Sequence, residues 1–285
     1  MKATIRLSFL LVSIVCLHQI AAAQLQLIPT KDDRVYYIHH HIYTSSLDAQ
    51  KKFWVDTLGG TFAGTLLKLP VEIVKFRNVQ VLLSPQAPTG GSKGSTVNHI
   101  GFLVPDVRAM VARLKAAGYP IVTRAELAGA TDDVAHVANQ NTYLAFVMAP
   151  DEVKVEFIED KSLKEPILSH HVHFAATNVD EMKAWYVNVF GGKPGKRGSF
   201  EAADVPGVNL TFASSREPVV PTRGRAFDHI GFEIKNLEQF CKDLEARGIK
   251  LDRGYAKAPG GSLGVAFMTD PWGTKIELTE GLAGL

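Results

Sequence analysis

The sequence predicts an α+β protein made of four βαβββ modules whose mixed sheets pair and cup around a hollow, and three observations carry that prediction. His-Ile-Gly-Phe stands at 99–102 and again at 229–232, 130 residues apart. Each copy runs into an apolar stripe at helical spacing that ends on a glycine. Fainter copies of the same strand, helix and glycine order start at His39 and His171. A unit of this kind exposes a sheet face that it cannot cover alone, so two units together bury it.

Residues 1–23 come first and read as a secretory signal peptide. Lys2 and Arg6 precede the short apolar run LSFLLVSIVCL, and Ala21-Ala22-Ala23 offers a small-residue cleavage site. The run is short for a membrane span, and His18 and Gln19 interrupt it. A mature chain from near Gln24 is therefore expected, periplasmic or secreted, with no membrane association after cleavage. Its one remaining cysteine, Cys241, cannot form an internal disulfide, so folding rests on an apolar core. The formal net charge is +2, with no dense Lys/Arg run outside the leader. That excludes an obvious nucleic-acid or anionic-surface partner and leaves a small molecule. A monomer or homodimer is expected.

The modules follow in order: about 35–85, 97–160, 168–214 and 226–283. In the even modules Val107, Met110, Val111 and Leu114 match Leu237, Phe240, Cys241 and Leu244, one buried helical stripe in each. Asp106 and Asn236 suit the N-cap, and Gly118 and Gly248 the C′ position. In the odd modules Phe53-Trp54-Val55 answers Trp185-Tyr186-Val187, and Gly59-Gly60 answers Gly191-Gly192. The even modules close on FVMAPDEVKVEFIED (146–160) and FMTDPWGTKIELTEG (267–281), where apolar residues alternate around Glu156 and Glu277. Such alternation marks strands with those glutamates on the other face. The linkers 85–96 and 214–226 are rich in Pro, Gly and Ser, and a further join lies at 161–166. Their shortness favours pairing module one with two and three with four, giving domains at 24–160 and 166–285.

Under that pairing His171, His229 and Glu277 converge in one sheet-lined cavity, and His39, His99 and Glu156 in the other. Two imidazoles and a carboxylate suit a divalent transition metal (Fe, Mn, Zn or Ni) with open coordination positions, one ion per competent site. A single buried histidine is more often a hydrogen-bonded core residue, but six positions matching across two halves weigh more than any one of them. His41 and His173 share a strand face with His39 and His171, and are candidates for ligand, substrate contact or catalytic group. His40 and His170 should face away, as structural or exposed residues. His136 reads as a loop residue. Tyr255 is a candidate for the cavity mouth, and Cys241 for inert core.

The His-Ile-Gly-Phe strand, the amphipathic helix and the closing Asp270-Pro271-Trp272-Gly273-Thr274-Lys275-Ile276-Glu277-Leu278 resemble the vicinal oxygen chelate superfamily of glyoxalase I, bleomycin-resistance proteins, fosfomycin-resistance enzymes and extradiol dioxygenases. Module two departs at Ala149-Pro150-Asp151-Glu152 but keeps its glutamate. The resemblance spans nearly the whole mature chain. It implies two glyoxalase-like domains, and metal ligands at the six positions above. It also implies, for a lyase of the glyoxalase I type, an acidic ligand on the last strand of each odd module. Leu82 and Thr211 occupy those positions, with Gln80 and Asn209 nearby on the same face. The expected function is thus a metal-dependent enzyme on a small vicinal-oxygen substrate, dioxygenase-like before lyase-like. A metal-free ligand-sequestering protein of the bleomycin-resistance type is the alternative, although Trp185 and Tyr186 read as core rather than as a stacking platform.

Overall fold

Periodic apolar residues bounded by glycines give each module one strand, a helix and three further strands, with a second short helix in module two. The computed structural model describes residues 25–258 and 261–285, so the expected leader falls outside the described residues. Module one contains β1 (Val35–Tyr43), α1 (Leu47–Lys51), β2 (Thr61–Thr65), β3 (Glu72–Lys75) and β4 (Gln80–Ser84). Module two contains β5 (Val97–Val104), α2 (Val107–Ala116), α3 (Thr123–Glu126), β6 (Ala135–Val137), β7 (Thr142–Ala149) and β8 (Val153–Glu159). Module three contains β9 (Leu168–Ala176), α4 (Val179–Phe190), β10 (Lys193–Arg197), β11 (Phe200–Val205) and β12 (Val208–Ser214). Module four contains β13 (Phe227–Ile234), α5 (Leu237–Ala246), β14 (Arg253–Lys257), β15 (Gly264–Thr269) and β16 (Lys275–Glu280).

Local signals account for most boundaries. Asp106 caps α2 by accepting from the Ala109 N–H at 2.9 Å, and Gly118 (φ +86°) and Gly248 (φ +78°) take the left-handed backbone after α2 and α5. Asn236 does not cap α5 with its side chain. It sits at φ +58°, and its N–H is taken by the Glu280 carboxylate at 2.8 Å. Asn tolerates that left-handed conformation better than most residues. After α1 the chain continues in wider π turns over Lys52–Thr57, which bring the adjacent Phe53 and Trp54 both into the core.

Module pairing departs from the sequence expectation. One eight-stranded sheet runs β14-β15-β16-β13-β1-β4-β3-β2 and the other β10-β11-β12-β9-β5-β8-β7-β6. Module four therefore pairs with one, and module three with two, so segments 24–160 and 166–285 each supply half of both sheets. The central contacts are antiparallel, β1 against β13 and β5 against β9. The connection from Glu159 to Leu168 is the shortest between modules, and it lays β9 beside β5. The two longer linkers instead run past each other between the sheets. Ser95 bridges Val220, and the Ala226 N–H donates to the Gly90 carbonyl at 2.8 Å.

The main core lies between the sheets, with the odd-module helices inside it. Phe190 of α4 stacks on Phe232 of β13 with ring centroids 4.0 Å apart and planes 14° apart. Trp54 packs against Phe102 of β5 at 5.9 Å. Each odd helix thus ties its own sheet to the opposite one. His40 is buried in this layer, 2.6 Å from the Tyr37 hydroxyl and flanked by Phe102 and Phe227. Burial pulls its pKa down to about 3, so it is a neutral structural residue, as expected from its facing. Phe190→Ala would leave a cavity at this junction. We expect it to cost about 3–5 kcal/mol in denaturant unfolding, and a loss below ~1 kcal/mol would contradict the packing described.

Candidate metal centres

Two clusters of buried donors lie at the centres of the two sheets. His39, His41, His229 and Glu277 offer ligand atoms within 4.8 Å of one another, as do His99, His171, His173 and Glu156. All six predicted ligand positions are therefore brought together, but in different triads from those expected. His171 joins His99 and Glu156, not His229 and Glu277, because module three shares its sheet with module two.

The second sheet holds the tighter set. His99 Nε2 lies 2.8 Å and His171 Nε2 3.0 Å from the same Glu156 oxygen, and the two ring nitrogens are 3.4 Å apart. In the first sheet His229 Nε2 and His39 Nε2 lie 2.9 and 3.2 Å from one Glu277 oxygen. His41 and His173, two residues along the same strand faces, stack on His229 and His99 with centroids 4.2 and 4.3 Å apart.

The glycine of His-Ile-Gly-Phe makes this convergence possible. Gly101 faces His171 across the antiparallel pair, and Gly231 faces His39. A Cβ on either glycine would stand 1.9 Å from the facing imidazole Cε1. The absent side chain is where the partner's ring lies.

Electrostatics then favour a cation between the donors. His229 Nδ1 is 2.5 Å from the Asp228 carboxylate, which also receives the Lys275 ammonium. Burial raises the Asp228 carboxyl, but His229 and Lys275 more than offset it and hold the group ionised, so Nδ1 must carry the proton. Nε2 then turns toward the Glu277 oxygen, one acceptor facing another unless a second proton or a metal lies between them. The Nδ1 of His99 makes the same contact with the Asn98 side-chain oxygen at 2.9 Å. Carboxylate or amide partners behind the ring are the usual support for a metal-ligating histidine. Burial also pushes His39, His99 and His171 toward the neutral form that binds metal. Both ring nitrogens of His39 and the Nδ1 of His41 and His173 are buried without a hydrogen-bond partner, which fits an ion at each cluster.

The surroundings of the two clusters differ. Above the second sheet opens a cavity of about 850 Å³ lined by His99, His173 and Glu156 together with Phe146, Phe200 and Arg197. Beside the first cluster, Leu82, which faces His41 in register, belongs to an apolar group with Leu66, Ile73, Leu263 and Leu282. In register, Leu82 faces His41 and Thr211 faces His173, so neither odd module places a carboxylate there.

Of the other sequence candidates, Tyr255 packs against the main core rather than at a cavity mouth. His136 is exposed on β6 against Tyr143, not in a loop. His170 does not face fully away; its Nδ1 lies 3.0 Å from that of His171. Cys241 and Tyr186 are core, as expected. Arg197 was missed, since KPGKR reads only as a polar edge strand.

Residues 38–135 and 168–278 match family models described as glyoxalase/bleomycin resistance protein/dioxygenase superfamily. The chain belongs to that superfamily. Its fold superposes on glyoxalase I from Zea mays with TM-score 0.67 and 18% identity, covering 87% of this chain and 92% of that one. A putative dioxygenase from Bacillus subtilis aligns with TM-score 0.64 and 12% identity, over 88% and 86% of the two chains. At such identities the likeness is one of fold. Lactoylglutathione lyase of Salmonella typhimurium is 37% identical over 57 residues, 20% of this chain. That of Escherichia coli O157:H7 is 35% identical over the same length, and the chain spans 42% of each of these curated relatives.

Within this superfamily scaffold, Gly101→Ala and Gly231→Ala would each displace one imidazole. Elemental analysis should then show metal lost from the second-sheet and first-sheet cluster respectively, with the other cluster retained. Full metal content in both variants would mean that the clusters are not the metal sites.

Proposed function

We propose that this protein is a metal-dependent enzyme whose working site is the second-sheet cluster, with His99, His171 and Glu156 holding a divalent metal and His173 beside them. The observation that carries the reading is the cavity of about 850 Å³ onto which this donor set opens, room enough for a small molecule. A bound metal supplies a Lewis acid and a template for two adjacent substrate oxygens. The chain does the rest. Asn98 fixes the His99 tautomer, Glu156 supplies the compensating negative charge, and Phe146 and Phe200 exclude water from the wall. His173, buried with a free Nδ1, is placed to hold a proton at the substrate.

Dioxygenase-like chemistry is favoured over a glyoxalase I-like lyase. Two imidazoles and one carboxylate suit Fe(II) with open positions, and Thr211 stands where a second acidic ligand would be needed. The amino-terminal leader supports a place of action in the periplasm or outside the cell.

The test compares wild type with His99→Ala and His229→Ala, following metal content and oxygen uptake on a panel of catechols. His99→Ala should lose second-sheet metal and at least ~100-fold of the activity, whereas His229→Ala should lose metal but keep uptake. Undiminished metal in the His99→Ala protein overturns the assignment. Turnover of hemithioacetals without oxygen uptake would establish the lyase instead, and ligand binding with neither metal nor turnover the sequestering protein.

A further inference from the structure

Arg197 ends β10 and reaches the second-sheet cluster from the side where both odd modules lack a carboxylate. It is nearly buried, with 11% of its side chain accessible. Its Nε donates to the Thr211 hydroxyl at 2.9 Å, Thr211 donates to Asn209 at 2.6 Å, and Asn209 donates to the Asp204 carboxylate at 2.6 Å. That relay fixes the plane of the group. Its two terminal nitrogens are poorly used. Nη1 is buried with no hydrogen-bond partner, and Nη2 lies 3.3 Å from His171 Nε2 and 3.9 Å from the Glu156 oxygen.

The His171 lone pair that Nη2 meets is the one a metal would take. With a metal on His171, Nη2 loses that acceptor and both prongs of the fork are open at once. Burying an arginine without a carboxylate of its own is costly. The other carboxylate lining the cavity, Glu126, is already paired with Lys93 and Lys154 at 2.7 Å. A rigid fork with two free parallel donors fits one partner well, a pair of oxygens sharing negative charge. Among the described residues, the position of the first sheet that matches Arg197 is Thr65. The matching end of β2 continues as Thr65-Leu66-Leu67, and Leu66 is part of the apolar group.

We infer that Arg197 is a substrate-binding residue that makes the site selective for anionic vicinal-oxygen compounds, those bearing a carboxylate or an equivalent oxyanion next to the second chelating oxygen. Arg197 grips the anion by its Nη1–Nη2 edge while the neighbouring oxygens face the metal ligands. The inference rests on the reading of the second-sheet cluster as a metal site.

Isothermal titration of oxalate into the full-length mature protein, loaded with Mn(II) alone and again metal-free, tests it in wild type, Arg197→Gln and Arg197→Lys. Oxalate should bind the loaded wild type and lose roughly 10- to 100-fold in affinity in Arg197→Gln. Arg197→Lys should fall between the two, keeping the charge and losing the fork. Mn(II) itself should bind Arg197→Gln at least as tightly as wild type, since a cation has been removed from beside the ligands. Equal oxalate affinity in wild type and Arg197→Gln overturns the inference, as does a parallel loss of Mn(II), which would make Arg197 a prop for the cluster. Failure of wild type to bind Mn(II) overturns the metal reading separately. In that case oxalate binding to the metal-free protein that depends on Arg197 still supports the anion site, and its absence removes it.

Discussion

An imidazole laid flat on a glycine sets the geometry of both sheets. His171 covers Gly101 and His39 covers Gly231, each across an antiparallel contact between strands of two different modules. The ring can lie there only because no Cβ intervenes, and the glycine can be tolerated in a strand centre only because the ring fills the space. The same contact places the histidine two residues before each glycine, His99 or His229, next to the covering ring. A metal-ready pair of imidazoles is therefore a by-product of how the central strands meet. The glutamate arrives from β8 or β16, whose parallel registers put Glu156 opposite Gly101 and Glu277 opposite Gly231.

The two sheets carry one such centre each, and the surroundings of the two differ. One is flanked by leucines from just after β2, from β4 and from the segment after β16, burying apolar surface that stabilises the sheet. The other opens on a cavity and carries a buried guanidinium. Apolar packing lowers energy without any ligand, while an open cavity with an underused arginine leaves polar groups waiting for one. The first arrangement suits stability and the second suits binding, and the sequence of the ligands alone does not distinguish them.

Much of this was legible in the residues. The repeated His-Ile-Gly-Phe, the helical stripes ending on Gly118 and Gly248 and the alternation around Glu156 and Glu277 are local patterns, and local patterns survive in one dimension. The six ligand positions followed from them. Which module pairs with which did not, because linker length constrains distance and not sheet partner; strand direction and the ring-on-glycine fit decide it. The glycine itself was the missed clue, since a strand glycine signals close approach and the imidazole of the odd module was the obvious visitor. Arg197 carried no local signal. Its meaning comes from Thr211, fourteen residues on in sequence and adjacent only in the folded sheet.

The donor clusters also bear on stability. In each, imidazole nitrogens and a carboxylate oxygen gather within about 3 Å of one another, held there by strands whose registers are set by apolar packing elsewhere. Polar groups crowded in this way belong to functional sites rather than to passive cores. A divalent ion would satisfy those donors only in the folded state, because along the chain they are spread over 238 positions in the first cluster (His39 to Glu277) and 74 in the second (His99 to His173). Metal affinity and fold stability are then two expressions of one term. At the second-sheet cluster the adjoining cavity leaves part of the ion's coordination sphere for substrate.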